Sequence, residues 1–182
     1  LSIRRQRQMC IRDSIGSRAK LGELLIATGG LFASSKIDVS FTGESAHAGA
    51  DPEKGRNALL AACDAALLIA AIPRHSAGES RVNVGQIRGG EGRNSIPAHA
   101  ELMVETRGLT CEVNDFIENK VRAITNGIAQ AYDVTPNVTL KGKALTIAVS
   151  PDLIETALAV AKTIPGIRKV ATENRPTASE DC

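Results

Sequence analysis

Aromatic side chains are scarce: three Phe, one Tyr and no Trp in 182 residues. Surfaces that stack single-stranded nucleic acid are built from such rings, so composition argues against that function. An excess of one charge is also missing. Lys and Arg number 22 against 20 Asp and Glu, a net of +2, which sets up no field for a polyanion. The longest apolar run, Ala65 to Ile72, makes about two helical turns and falls well short of a membrane span. Neither nucleic acid nor a membrane is expected as a partner. Four cysteines (Cys10, Cys63, Cys111, Cys182) stand roughly 50 to 70 residues apart without a C-x-x-C pair. That spacing suits neither a zinc knuckle nor a disulfide-dense secreted module, and points to a reduced, cytoplasmic protein. Catalytic signatures are equally thin: no G-x-S-x-G, no H-x-D, no Glu-Glu pair, and three histidines (His47, His75, His99) without ligand spacing. The residues alone offer no metal site.

What is present begins with a segment to set aside. Leu1 to Ser14 carries four arginines and no amphipathic period, and Arg4 to Ser14 (RRQRQMCIRDS) resembles a translated sequencing adapter. Residues 1–14 are therefore expected to be non-native, and without them the charge is close to neutral. From Lys36 the pattern sharpens. Ile37, Val39 and Phe41 alternate with polar residues, a strand with one buried face. Gly43 to Gly55 reads as a loop, after which Asn57 caps a helix to about Ile72 with Leu59, Leu60, Cys63, Leu67 and Ala70 on its apolar stripe. Arg81 to Ile87 and Ala98 to Thr106 are strands joined through Gly89, Gly90 and Gly92. Thr110 caps a second helix whose apolar seam is Val113, Ile117, Val121, Ile124, Ile128 and Ala131. Val138 and Leu140 mark a fourth strand. The order βαββαβ predicts an α+β, ferredoxin-like fold: two helices on one face of a four-stranded antiparallel sheet. Leu24 to Ala27 and Ile167 to Ala171 read as short strands, and Pro151 to Ile164 as a helix with Leu153, Ala157, Val160 and Ala161 on one side.

Few residues carry chemistry by themselves. The turn Gly89-Gly90-Glu91-Gly92-Arg93-Asn94 is not a phosphate loop, because a strand follows it rather than a helix N-terminus. His47, within Ser45-Ala46-His47-Ala48-Gly49-Ala50, is open to a ligand and equally to water. Arg107 could fork onto a carboxylate, although composition alone favours pairing with a neighbouring glutamate. Read this way, the chain is a ferredoxin-like binding or dimerisation module without catalysis.

Three blocks change the weighting: FTGESAHAGADPEKGRNALLAA, SRVNVGQIRGGEGRNSIPAHAELMVETRGLT and ASED. Together they resemble the aminoacylase/carboxypeptidase-like di-metal metallopeptidases, in the amidohydrolase branch that acts on aminobenzoyl-glutamate. The resemblance covers essentially Ile15 to Asp181. It implies an α/β catalytic domain interrupted by a ferredoxin-like lid that dimerises, with residues 36–146 as the lid and 15–35 and 147–182 as remnants of the catalytic domain. It also implies that His47 reaches the active site of the partner subunit and steadies an oxyanion, that Asn94 hydrogen-bonds substrate, and that Arg107 binds the substrate carboxylate. The family's ligands for a divalent metal pair, zinc or manganese, would precede Ile15 or follow Cys182. A Glu-Glu pair among them would supply the base that deprotonates metal-bound water.

The expectation is thus a fragment of an enzyme that hydrolyses the amide between an acyl or aroyl group and an amino acid. No metal is expected on the fragment itself. Its partners would be a second copy or a related protein chain, and an N-acyl amino acid.

Overall fold

The computed structural model describes residues 19–29, 31–146 and 149–173. The adapter-like residues 1–14 lie outside them. The chain divides into two compact units, Phe32–Leu145 and the flanking segments up to Leu31 and from Thr146.

In the larger unit, strands β2 (Ala33–Thr42), β4 (Ser80–Gly89), β6 (His99–Gly108) and β7 (Thr135–Ala144) form an antiparallel sheet in the order β4-β6-β2-β7. Helices α1 (Ala58–Ala70) and α2 (Cys111–Tyr132) pack on one face. Two capping hydrogen bonds set where they begin: Leu60 N–H donates to Asn57 Oδ1 at 3.0 Å, and Val113 N–H to Thr110 Oγ1 at 3.2 Å. This is the ferredoxin-like arrangement that the element order predicts. Alternation also holds on β6, where Ala100, Leu102 and Val104 are buried against the helices while His99, Glu101 and Met103 face out. Pro136, which has no N–H to give, lies on the edge strand β7.

Two helix faces differ from expectation. On α1 the buried residues are Ala58, Ala61, Ala62, Ala65 and Ile69, whereas Leu60 and Leu67 are 51% and 70% exposed. The helix is apolar nearly all round, so periodicity could not choose between stripes. Small alanines let its backbone approach the sheet; Leu59 packs at the edge of the core, while Leu60, Leu67 and Leu68 turn outward. On α2 the seam holds through Val113, Ile117, Val121, Ile124 and Ile128, the last two half-buried against the core, with Thr125 and Ala129 buried beside it and Ala131 exposed. Polar Asn114 and Glu118 are buried beside it.

The second unit contains β1 (Glu23–Ala27) and β8 (Lys169–Glu173), paired in parallel, and α3 (Pro151–Ala161), which packs on β1. Of the side expected to be buried on α3, only Ala161 is; Leu153 and Val160 are 65% and 53% exposed. Among the described residues, two strands give that side no second layer to pack against.

Candidate functional site

The segment after β2 is more ordered than its glycines suggest. A Cβ at Gly43 would run into the Arg56 carbonyl, and one at Gly55 into the Ile96 side chain. With those approaches open, Glu44 and Arg56 exchange backbone hydrogen bonds of 3.0 and 2.9 Å. The segment folds back, and the two-residue strand β3 (Ala46–His47) pairs antiparallel with β5 (Ser95–Ile96). Ala48 N–H then donates to the Asn94 carbonyl at 2.9 Å. Two glycine-rich connections, far apart in sequence, thus place His47 and Asn94 on neighbouring exposed backbone segments.

The imidazole of His47 is held in one orientation. Gly49 and Ala50 N–H both donate to its Nδ1 at 3.1 Å. An Nδ1 that accepts two donors carries no proton, so the neutral ring keeps its proton on Nε2 and offers an N–H there. Such a donor, pre-set by the backbone, suits an oxyanion.

Arg107 is elsewhere. It is the ninth residue of β6, on the sheet face away from the helices, and its Nη2 donates to Glu105 at 2.9 Å. Its side chain is 28% exposed. His99, paired with Thr42, marks the end of the sheet that leads into β3 and β5. At about 3.3 Å per residue, Arg107 lies about 26 Å further along β6. One copy of the chain brings His47 to Asn94 and leaves Arg107 at the opposite end of the sheet.

A buried polar network also went unread in the sequence. Asn114 Nδ2 donates to Ser35 Oγ at 2.8 Å, Thr106 Oγ1 to Asn114 Oδ1 at 2.9 Å, and Ser35 Oγ to Glu118 Oε2 at 3.0 Å. Arg122 and Lys143 reach Glu118 at 2.9 and 3.4 Å. Burial alone would raise the Glu118 carboxyl, but hydrogen bonds from Arg122 and Ser35 and the charges of Lys143 and Arg122 outweigh it and hold it below the usual carboxylate range. Polar residues at buried helix positions carry no periodic signal.

Among the described residues no group of three or more His, Cys, Asp or Glu side chains could hold a metal ion. No described helix is long and apolar enough to cross a membrane.

Residues 30–133 match the peptidase dimerisation domain family. The chain belongs to that family. It is 40% identical over 168 residues to the indole-3-acetyl-aspartic acid hydrolase of Enterobacter agglomerans, covering 92% of this chain and 38% of that protein. It is 39% identical, with the same coverage, to a p-aminobenzoyl-glutamate hydrolase subunit of Escherichia coli (strain K12). The aminobenzoyl-glutamate utilization protein of Klebsiella pneumoniae superposes with a TM-score of 0.84 at 40% identity, over 92% of this chain and 43% of that one. This peptidase dimerisation domain chain therefore spans less than half the length of the relatives it resembles. Both curated relatives are hydrolases whose substrates join an acyl group to an acidic amino acid.

Proposed function

We propose that this chain is part of a cytoplasmic, metal-dependent amidohydrolase that cleaves N-acyl or N-aroyl amino acids such as p-aminobenzoyl-glutamate. Residues 36–146 are its dimerising lid, and the segments on either side belong to the catalytic domain. The activity draws on a divalent metal pair, zinc or manganese. The described residues do not fit such an ion and take substrate roles alone. His47 Nε2–H donates to the oxyanion that forms as the amide carbonyl is attacked, Asn94 hydrogen-bonds the substrate, and Arg107 holds its carboxylate through two parallel N–H groups.

One observation carries this reading. His47 and Asn94 are seated together at one end of the sheet, and Arg107 is about 26 Å away at the other. A substrate the size of an N-acyl amino acid cannot reach both ends in one copy. The three act together when one copy supplies His47 and Asn94 and a second supplies Arg107. The occupant of the dimer surface is accordingly a second copy of the chain. Its surface is the outer face of α1, with Leu60, Leu67 and Leu68 exposed, beside β4, whose outer edge pairs with no other strand among the described residues.

Mixing tests it. In the full-length enzyme, His47→Ala and Arg107→Ala each lower activity as homodimers. Co-expressed with different tags, they form mixed dimers in which one of the two sites has both residues intact. Random pairing then restores about a quarter of wild-type activity. No recovery in the isolated mixed dimer means that the residues serve the same copy, or no site at all.

A further inference from the structure

Arg107 has a like-charged neighbour. In the β4–β6 ladder its register partner is Arg81. Both side chains lie on the face away from the helices, since their chain neighbours Val82 and Thr106 belong to the helix side, Val82 against the core and Thr106 fully buried. Residues directly opposed in an antiparallel pair have Cβ atoms about 5 Å apart, and like charges placed so repel. Glu79 and Glu105 offset part of this, at 3.1 and 2.9 Å from Arg81 Nη2 and Arg107 Nη2. The Arg81–Glu79 pair is partly exposed and made through one nitrogen of a group that carries five N–H donors. The Arg81 guanidinium is also held in place: it lies over the ring of fully buried Phe32, 5.0 Å from its centroid. Stacking occupies a face of the guanidinium and leaves its donor edge available.

We propose that Arg81 and Arg107 form a pair that reads a dicarboxylic amino acid, Arg107 holding the α-carboxylate and Arg81 the side-chain carboxylate. This rests on the carboxylate role proposed for Arg107 and extends it to a second residue and a narrower substrate class, N-acyl aspartates and glutamates. The spacing agrees. With C–C bonds near 1.5 Å, the carboxyl carbons of an extended aspartate or glutamate are about 4 and 5 Å apart, of the same order as the Cβ separation of two directly opposed residues, from which the two side chains start. A ligand with two negative charges also relieves the repulsion between the arginines, which a monocarboxylate does only in part.

The test uses this chain as it stands, labelled with 15N, at constant ionic strength. Arginine Nε–Hε signals are followed during titration with N-acetyl-L-glutamate and with its neutral isostere N-acetyl-L-glutamine. Both probes should move the Arg107 signal, and only the glutamate probe should move that of Arg81, with about tenfold tighter binding from the second charge-assisted contact. Arg81→Gln should bring the two affinities together without weakening the glutamine probe, and Arg81→Lys should keep part of the preference. Thermal melts establish that the variants fold, and the wild-type Arg81 signal gives a readout that needs no variant. A glutamate preference that survives Arg81→Gln, or wild-type binding of both probes at Arg107 with Arg81 unmoved, overturns the pair and leaves Arg107 its role. An Arg107 signal that moves with neither probe removes that role, and the pair with it.

Discussion

Glu118 is a carboxylate that this fold needs charged. Its side chain is 10% exposed, accepts from Ser35 and Arg122 and faces Lys143, so protonation would strip a buried cluster of the anion that all three reach. Its carboxyl lies below the ordinary value of 4.5, so its contribution is complete above that value and is lost as pH falls through the lower, folded one. Glu118→Gln should therefore cost about 1 to 3 kcal/mol at pH 7, the worth of hydrogen bonds to a charged group. It should also flatten the fall in melting temperature as pH drops below the ordinary value of 4.5. Melts across that range check both, and an unchanged acid slope would assign the effect to another carboxylate. None of this was legible in the sequence, where the apolar seam of the helix does not include Glu118. His47 was legible as an accessible imidazole. Its tautomer was not, because Gly49 and Ala50 meet its Nδ1 only once the backbone has turned.

At the level of elements, caps and alternation were legible because they are local. Asn57 and Thr110 start their helices through bonds spanning three residues, and β6 alternates because successive side chains of a strand point oppositely. The orientation of α1 was not legible. Its alanines and its leucines both recur at helical spacing, and the smaller set faces the sheet. The leucine face lies beside β4, an edge strand without proline, while the other edge strand carries Pro136. Leu67→Glu should then convert a dimer to a monomer, weakening self-association by about tenfold or more. The melting temperature of the monomer should change little, because Leu67 is 70% exposed within one copy. Sedimentation velocity against concentration measures the first and a thermal melt the second. A dimer unaffected by Leu67→Glu would place the interface on another surface.

For the whole molecule, the core cluster is drawn from Ile37 to Val138 and lies entirely within the larger unit. A chain of residues 32–145 should accordingly fold alone, with a cooperative melt and the far-ultraviolet dichroism of a two-helix, four-strand domain. A non-cooperative melt would show that the flanking segments contribute to its stability. The sequence by itself determined the ferredoxin-like order of elements, the caps, the inner face of β6 and the blocks that relate the chain to amide-hydrolysing enzymes. Each of these follows from spacing over a few residues or from residue identity. Tertiary structure alone decided three further things: which stripe of α1 is buried, that Asn114 and Glu118 lie inside, and that His47 joins Asn94 while Arg107 stands with Arg81 at the far end. These depend on contacts between segments up to about 80 residues apart in the chain, as in the bond from Ser35 to Glu118. No local period encodes such a contact; it exists only once the strands are in register and the helices have closed over them.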